Sequence, residues 1–323
     1  MKYTLIGTLK VSQICLGCMG FGDASQGMHS WTLPYEDSKK IIFHALESGI
    51  NFFDTAMAYQ SGTSEEYLGR AIKEYGHRED VIIATKYTPK SDDSIDSRTY
   101  FTECLNNSLR RLQTDYIDLY IMHMWDYQTP IEETLEILND FIKEGKIKEI
   151  GISNCFAYQL ATANTIAKER GLQGFVSVQG HYNLIFREEE REMKRYCDEQ
   201  GIAMTPYSAL ASGRLAKHPG ETSQRLEKDT YALGKYDASS DLDLKIIQRV
   251  EELASKHHAS MSEVSLSWLM SKVAAPVVGA TKLKHVDTAV LATELELSEE
   301  EKQYLEEPYQ LHPLVGVMAI NPK

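Results

Sequence analysis

Short apolar runs alternate with longer amphipathic segments along most of the chain. The apolar runs predict strands at 11–17, 50–54, 81–86, 117–122, 149–153, 176–179, 203–207 and 275–278. Helical spacing of apolar residues predicts helices at 35–48, 64–75, 99–112, 131–144, 156–170, 188–200, 262–271 and 284–292, with a further helix that ends near 257. Several of these segments stop at a glycine, as at Gly49 and Gly145, which is a good C-terminal signal for a helix.

Eight strand–helix units in one chain favour an α/β fold of the (β/α)8 TIM-barrel type over an open doubly wound sheet. The open sheet would be supported by a phosphate-binding fingerprint, but "GCMGFG" at 17–22 has its glycines in the wrong order. "KYTLIGTLK" at 2–10 predicts an N-terminal β-hairpin that turns at Gly7 and closes the barrel floor. We expect a single domain over 1–323, with extra C-terminal helices beyond the barrel units.

Composition and charge exclude some partners. The chain is 42% hydrophobic and 25% charged, which is ordinary for a globular protein, and its net charge of −13 argues against a nucleic-acid partner. No apolar run reaches the roughly 18 residues of a membrane span, and the N-terminus lacks the apolar stretch of a secretion signal. The five cysteines, an odd count, suit a reducing cytoplasm. Cys15 and Cys18 have redox spacing, but no second pair follows, so we expect neither a redox role nor a metal site.

Polar side chains occupy adjacent strand ends in this predicted barrel. Strand 50–54 ends at Asp54, with Tyr59 in the following loop. Strand 81–86 ends at Lys86, and His123 follows strand 117–122. Each alone has an ordinary explanation, such as a loop cap or an exposed tip. Because barrel active sites lie at the C-terminal strand ends, we expect the four to converge at one mouth.

The chemistry of these four side chains is specific. A phenol with a pKa of about 10 is a poor acid–base group at neutral pH. A Lys86 ammonium beside Tyr59 would lower that pKa, and a shift of two to three units needs roughly 3–4 kcal/mol. Asp54 would hold Lys86 charged and aimed, and His123 would donate a hydrogen bond to a carbonyl oxygen. Such a set delivers a proton to a developing alkoxide but lacks a hydride source, so a nicotinamide is implied.

The chain resembles the aldo-keto reductase family along essentially its whole length. "GINFFDTAMAYQSGTSEEYLGRA" resembles the family signature, and "IIATKY", "IMHMWD", "GISN", "VQGHYNL" and "YSALASGRL" follow in the family's order. The tail "PYQLHPLVG" and the "MHMWDY" loop look most like the bacterial YajO-like branch.

The resemblance implies a role for each matching residue. Tyr59 would be the general acid, tuned by Lys86 and Asp54, and His123 would orient the substrate carbonyl. The nicotinamide carboxamide would be held by Ser153, Asn154 and Gln179, and its ring would stack on Tyr207. The pyrophosphate would lie in a loop of small residues and backbone N–H groups that contains Ser208, Leu210, Ser212, Gly213 and Arg214. The adenosine 2′-phosphate would be bound near Gly279, Ala280, Thr281, Lys282 and His285.

Departures from the family pattern bear on the cofactor. "YSAL" replaces the usual "YSPL", with Ala209 in place of proline. His285 stands where many relatives carry Arg or Gln, and Thr288 and Ala289 replace the common Glu and Asn that contact adenine. Lys282 as the cation, together with a hydroxyl, favours NADPH (NADP+), with NADH as the alternative.

The substrate walls are expected from the loops. The loop after the first strand supplies Met28, His29 and Trp31, and the loop after the fourth supplies Trp125, Asp126 and Tyr127. The loop after the seventh strand supplies Tyr231 and Tyr236. His29 and Asp126 would suit a sugar-like aldehyde. "REEERE" at 187–192 predicts a solvated helix face.

The leading function is therefore an NADPH-dependent reductase of aldehydes or ketones. One alternative is a nicotinamide-nucleotide-binding regulatory subunit resembling potassium-channel β subunits. Another is a phosphate-binding barrel isomerase or lyase without nicotinamide.

Overall fold

A two-stranded antiparallel hairpin precedes a sheet of eight parallel strands in this computed structural model. The structure describes residues 1–27, 29–91, 94–218, 221, 236, 240–310, 312, 315, 316 and 318. The hairpin is formed by β1 (Tyr3–Ile6) and β2 (Leu9–Ser12). The parallel strands are β3 (Cys15–Gly17), β4 (Phe52–Asp54), β5 (Ile82–Tyr87), β6 (Ile117–Met122), β7 (Ile147–Ser153), β8 (Ser177–Gln179), β9 (Ala203–Met204) and β10 (Val277–Gly279). Their order in the sheet is β10-β3-β4-β5-β6-β7-β8-β9.

Helices follow the strands as the sequence pattern predicts. They are α1 (Tyr35–Glu47), α2 (Thr63–Tyr75), α3 (Ser97–Leu112), α4 (Ile131–Lys143), α5 (Ala157–Glu169), α6 (Met193–Gln200), α7 (Ser240–His257), α8 (Met261–Met270), α9 (Leu283–Ala292) and α10 (Glu299–Glu306). No helix in the described part of the chain combines the length and the apolar character that crossing a membrane requires.

Backbone hydrogen bonds join the two ends of the parallel sheet. Val277 N donates to Pro206 O at 2.9 Å, and Ala274 N donates to Met204 O at 3.1 Å. The last strand therefore meets the end of β9 while it also pairs with β3. The predicted (β/α)8 barrel is confirmed.

The hairpin closes the floor of the barrel, also as predicted. Ile6, Leu9 and Val11 are buried in one apolar cluster with interior residues of β3, β4, β5 and β6. The turn lies at Gly7, whose φ of +55° suits glycine. Thr8 N and Oγ1 both donate to Glu149 Oε1, at 2.8 and 2.6 Å, which fixes the turn against β7.

Some predicted boundaries were wrong for identifiable reasons. The run 11–17 is divided, because Gln13 N donates to Lys2 O and so keeps Val11 in the hairpin while β3 starts at Cys15. The predicted helix 188–200 begins as a short 3-10 turn at Glu188–Glu190, and α6 follows from Met193. The pattern missed α10, whose buried residues include only Leu305 among its apolar side chains. A capping box between Ser298 and Glu301 starts this polar helix.

The cysteines have no visible redox arrangement. All five are free and buried. Burial raises the pKa of the Cys15 and Cys18 thiols well above the ordinary value, so both are protonated and unreactive.

Gly69 is predicted to be essential for the contact between α2 and α3. An alanine Cβ at this position would lie 2.4 Å from the backbone of Leu112. Helix propensity alone would make Gly69→Ala stabilising by about 1 kcal/mol. We expect the clash to reverse that sign and lower the free energy of unfolding by about 1–3 kcal/mol, measured by urea denaturation. Lys73→Ala changes an exposed residue on the same helix, and its free energy of unfolding should stay within about 0.5 kcal/mol of the wild-type value. Equal free energies of unfolding for the two variants would contradict the prediction.

Candidate active site

The period of two along each strand brings the polar side chains together. Phe52, Ile82 and Leu119 fill the barrel interior lower down. Asp54 comes two residues after Phe52, and Lys86 comes four residues after Ile82. Because residues an even number apart on a strand face the same side, both side chains face the barrel interior at the C-terminal ends of their strands. Asp54 is paired in register with Ala84, and Lys86 with Ile121, so both carboxylate and ammonium belong to the top layer of the barrel.

Lys86 has a partner for each of its three N–H donors. Its side chain is fully buried, and Nζ donates to Asp54 Oδ1 at 2.6 Å, to Thr55 O at 2.8 Å and to Tyr59 Oη at 3.2 Å. Burial alone would lower the pKa of Lys86, but Asp54 and Tyr59 together, through their charges and hydrogen bonds, outweigh burial and hold that pKa above its ordinary value. The ammonium is therefore charged and fixed against the phenol oxygen.

The expected acidification of Tyr59 is wrong in its net direction. Burial raises the pKa of Tyr59 above its ordinary value, and the Lys86 charge lowers it by a smaller amount. Asp54 opposes Lys86, because its negative charge also disfavours the phenolate. Tyr59 is consequently a neutral phenol at physiological pH.

His123 is the fourth member of the cluster. Its ring meets the Tyr59 ring edge-on, with centroids 5.9 Å apart. Burial, and then the neighbouring Lys86 charge, lower the pKa of His123 to about 3. Its Nδ1 is buried and has no hydrogen-bond partner among the described residues. The imidazole is neutral, and the tautomer with its proton on Nε2 leaves only a lone pair without a partner.

Three residues at the ends of β7 and β8 form one hydrogen-bonded group. Asn154 Nδ2 donates to His123 O and to Ser153 Oγ, both at 2.9 Å, and Ser153 Oγ donates to Gln179 O at 2.8 Å. Gln179 Nε2 donates to Asp54 Oδ2 at 2.9 Å. Asn154 and Ser153 are thus bonded to each other, and Gln179 is tied through its Nε2 to the Asp54 carboxylate.

An aromatic stack supports Tyr207. The His181 ring is nearly parallel to the rings of Phe186 and Tyr207, with centroid distances of 3.9 and 5.7 Å. Tyr207 Oη donates to Asn154 Oδ1 at 2.9 Å. The ring of Tyr207 is thereby held rigidly and is partly exposed, as a stacking platform must be.

Tyr236 is an anchor and not a wall of the substrate pocket. Its side chain is 1% exposed, and its hydroxyl bonds to His181 Nε2 at 2.6 Å and to Asn183 Nδ2 at 3.1 Å. The guanidinium carbon of Arg214 lies 4.9 Å from the centroid of its ring. Tyr231 and Met28, also expected at the pocket, lie outside the described residues.

The loop after β9 has the backbone of an anion cradle. Left-handed φ angles occur at Ser208 (+58°), Ala211 (+47°), Ser212 (+57°) and Gly213 (+103°). Turns of this kind direct successive N–H groups to one side. Leu210 O accepts from Gly213 N at 2.8 Å, which closes the turn that carries Arg214.

The segment after β10 carries two exposed lysines, Lys282 and Lys284. Lys282 is exposed and stands at the N-cap of α9, next to the positive end of the helix dipole. His285 Nδ1 accepts from Thr281 N at 3.3 Å, and burial with the nearby Lys284 and Lys282 charges lowers the pKa of His285. His285 is therefore a neutral brace of the loop. Gly279 and Ala280 lie at the end of the strand beneath it.

The expected substrate residues divide into two groups. Trp31 lies over the end of β3, where an alanine Cβ at Gly20 would be 3.4 Å from its ring, and the His29 ring lies 5.1 Å from it. Trp125 is partly buried against the core. Asp126 is 5% exposed, and its Oδ1 accepts from Gln128 N and Thr129 N, at 2.7 and 3.1 Å. Asp126 Oδ1 therefore caps its own loop, and the expected contact between Asp126 and the substrate stays a prediction.

Sequence reasoning missed residues that tie the start of α2, just after Tyr59, to its neighbours. Thr55 Oγ1 bonds to Ser64 Oγ at 2.9 Å, and Ser64 Oγ donates to Cys18 O, which links α2 to the end of β3. Glu65, fully buried, accepts from Thr85 Oγ1 at 2.7 Å and from Arg111 Nη1 at 3.2 Å. The acidic pair in "TSEE" had indicated only a helix start, and nothing local marks one member as buried.

Comparison with known proteins agrees with this geometry. A sequence profile described as "Aldo/keto reductase family" matches residues 13–310.

The chain belongs to the aldo/keto reductase family.

Relatives of this aldo/keto reductase resemble it over nearly their whole length. An aldo-keto reductase of Fusarium vanettenii is 38% identical, over 95% of this chain and 90% of the relative. The versiconal hemiacetal acetate reductase of Aspergillus parasiticus is also 38% identical, over 97% of this chain and 99% of the relative. Both are fungal, so the expected likeness to the bacterial YajO-like branch is not supported.

A solved structure matches at the level of the whole fold. It is a thermostable aldo-keto reductase crystallised with the inhibitor epalrestat, with a TM-score of 0.77 and 28% identity over 95% of this chain and 100% of the other. These similarities make the protein an oxidoreductase that acts on carbonyl or alcohol groups.

Neutral His123 predicts a pH dependence of stability for this aldo/keto reductase. Its folded pKa is about 3, below the ordinary value of about 6.5 in the unfolded chain, so between these values the unfolded state binds more protons. Neutral His123 therefore contributes to the free energy of unfolding above pH 6.5, and this contribution is lost as the pH falls towards 3. When the pH is lowered from 7.5 to 5.0, we expect the free energy of unfolding to fall more in the wild-type protein than in His123→Asn. The difference between the two falls should be at most about 2 kcal/mol.

Urea denaturation of both proteins at the two pH values measures the difference, and other titrating groups cancel in the comparison. Parallel losses in the two proteins would show that His123 is protonated in the folded state as readily as in the unfolded one.

Proposed function

We propose that the protein is an NADPH-dependent reductase of aldehydes and ketones with Tyr59 as the general acid. The observation that carries the proposal is the hydrogen bond from Lys86 Nζ to Tyr59 Oη, at 3.2 Å. In this bond the phenol oxygen accepts, so the phenol proton remains available to an oxygen in the mouth of the barrel. Charge-assisted donation from Lys86 also stabilises the phenolate that forms when that proton is given up.

A raised pKa of Tyr59 is compatible with this role. Reduction needs the protonated phenol at the start, and burial keeps it protonated. Since Lys86 is already saturated with acceptors, it acts by its fixed positive charge and not by transferring a proton itself. The bonds from Lys86 and Gln179 to Asp54 hold the carboxylate in place.

His123 is proposed to orient the carbonyl. As a neutral imidazole with its proton on Nε2, it donates a hydrogen bond without competing with Tyr59 as an acid. A charged imidazolium would raise the local positive potential and weaken the hold of Lys86 on its own proton. The His123 pKa of about 3 prevents that charge at physiological pH.

The residues around the mouth fit a nicotinamide dinucleotide, which when bound supplies the hydride. Tyr207 offers a supported aromatic face, and Gln179 Oε1 offers an acceptor for the carboxamide. The cradle at 208–214 suits the pyrophosphate. Lys282 suits an adenosine 2′-phosphate, which favours NADPH over NADH.

The substrate class is proposed from the walls. The described walls are aromatic, with Trp31 and Trp125 partly buried, and Asp126 is withdrawn into its loop. An aromatic or otherwise apolar carbonyl compound fits these walls better than a sugar-like aldehyde. No observation on the described residues favours a regulatory subunit or a barrel isomerase, and turnover on a carbonyl panel distinguishes these from a reductase.

Removal of the Tyr59 hydroxyl is predicted to stop the reaction. Tyr59→Phe keeps the ring and loses the proton, so we expect kcat to fall by at least about 10²-fold, the usual contribution of general acid catalysis. Turnover is measured by loss of NADPH absorbance with benzaldehyde, and cofactor binding by NADPH fluorescence, which should change little. Tyr158→Phe, a change at an exposed tyrosine, serves as the control. Wild-type turnover in Tyr59→Phe would rule out the mechanism.

The charge of Lys282 is predicted to select the cofactor. Lys282→Met should raise the Kd for NADPH roughly tenfold, the size of a charge-assisted contact, while the Kd for NADH stays within about twofold. Lys284→Met removes the same charge two residues away and is the matched control. If both cofactors weaken equally, or if the control behaves the same, Lys282 does not read the 2′-phosphate.

A further inference from the structure

Gln60, the residue after Tyr59, combines an unusual backbone with a buried side chain. Its φ and ψ are +46° and +47°, and Ser61 beside it is also left-handed, with φ +55°. Only 1% of Gln60 is exposed. A glutamine in the left-handed region is uncommon, and such outliers persist where the surrounding structure holds them.

The Gln60 amide closes the loop that follows β3. Nε2 donates to Asp23 O and His29 O, both at 3.0 Å, and to Gln26 O. Oε1 accepts from His29 N at 2.9 Å. One side chain therefore satisfies both ends of the segment 23–29, and this pattern of three carbonyls and one N–H also fixes which way the amide points.

The loop lies directly against Gln60. An alanine Cβ at Gly22 would be 2.8 Å from Gln60 Cβ, and one at Gly27 would be 2.7 Å from Gln60 Cα. Thr63 Oγ1 adds a second tie, because it accepts from Asp23 N at 3.0 Å while donating to Gln60 O at 2.8 Å. The loop and the turn that presents Tyr59 are thus one packed unit.

The same loop continues into Trp31 at the mouth of the barrel. The point where a Gly20 Cβ would lie is 3.4 Å from the Trp31 ring and 3.7 Å from Thr281 Cγ2. The His29 ring lies 5.1 Å from that of Trp31. The position of this aromatic wall relative to Tyr59 is consequently set through His29, whose backbone N–H and C=O both bond to Gln60.

We propose that Gln60 is a positioning residue that sets substrate selectivity, by locking the wall of His29 and Trp31 to the turn that carries Tyr59. This inference rests on the proposed function, because it assumes that a carbonyl compound reacts at Tyr59. A bulky aromatic aldehyde reaches the wall and depends on its position. A small aliphatic aldehyde does not reach it.

The test compares benzaldehyde with propanal in Gln60→Gly and Gln60→Met. Glycine suits the left-handed backbone and removes the amide; methionine keeps the bulk and removes the hydrogen bonds. In both variants we expect the ratio of kcat/KM for benzaldehyde to that for propanal to fall roughly tenfold, mainly through KM, as pocket contacts typically do. Amide hydrogen exchange across 23–31 should become faster, and this readout does not depend on activity.

Ser61→Gly is the matched control, since it relieves the neighbouring left-handed residue without touching the amide. It should keep both the wild-type ratio and the wild-type exchange. A ratio within twofold of wild type in either Gln60 variant, or the same fall in the control, overturns the proposal. If the wild-type protein reduces neither aldehyde, the proposed function fails and the selectivity role with it, while the exchange measurement still reports separately whether Gln60 anchors the loop.

Discussion

A fully buried lysine ammonium at the end of a closed barrel is the constraint around which the site is built. Taking an ion from water into a protein interior costs several kcal/mol even after relaxation. Lys86 is tolerated because each of its N–H donors has an acceptor and one acceptor, Asp54, carries the opposite charge. Removal of either ion would leave the other buried and unpaired, so the two positions depend on each other. Tyr59 enters this arrangement as the third acceptor.

The elements around the ion pair hold it from several directions. Gln179 reaches across from β8 to Asp54, and the Thr55–Ser64 pair links the strand end to the start of α2. Glu65 is a second buried carboxylate, bonded to Thr85 on β5 and to Arg111 on α3. A site held in this way is preorganised, as the proposed proton transfer from Tyr59 requires. Burial keeps Tyr59 neutral against the effect of the Lys86 charge, whereas burial and that same charge together keep His123 neutral.

The C-terminal part of the chain contributes through contacts that look ordinary in sequence. "REEERE" was expected to be a solvated face, but Glu188 is buried and accepts from Tyr309 Oη and His312 N, both at 2.8 Å. Arg187 N donates to Tyr309 Oη at 2.7 Å. The segment that follows Phe186 is thereby tied to the chain end, beneath the ring stack that supports Tyr207. A short helical stretch with alternating charges can face solvent or be buried. Here the packing of the distant segment with Tyr309 and His312 decided that Glu188 is buried.

The sequence by itself determined the barrel and predicted which polar side chains meet at its C-terminal strand ends. Strand parity is a local property, so Asp54 and Lys86 could be assigned to the interior at the strand ends once eight units had been counted. The family resemblance predicted which loops hold the cofactor. Tertiary structure decided what depends on distances between remote segments. The pKa of Tyr59, for example, depends on two opposing effects: burial raises it, and the Lys86 charge lowers it. Tyr236 anchors instead of lining the pocket, and Gln60 joins two loops, because hydrogen bonds between residues 31 to 55 positions apart leave no periodic trace in the chain.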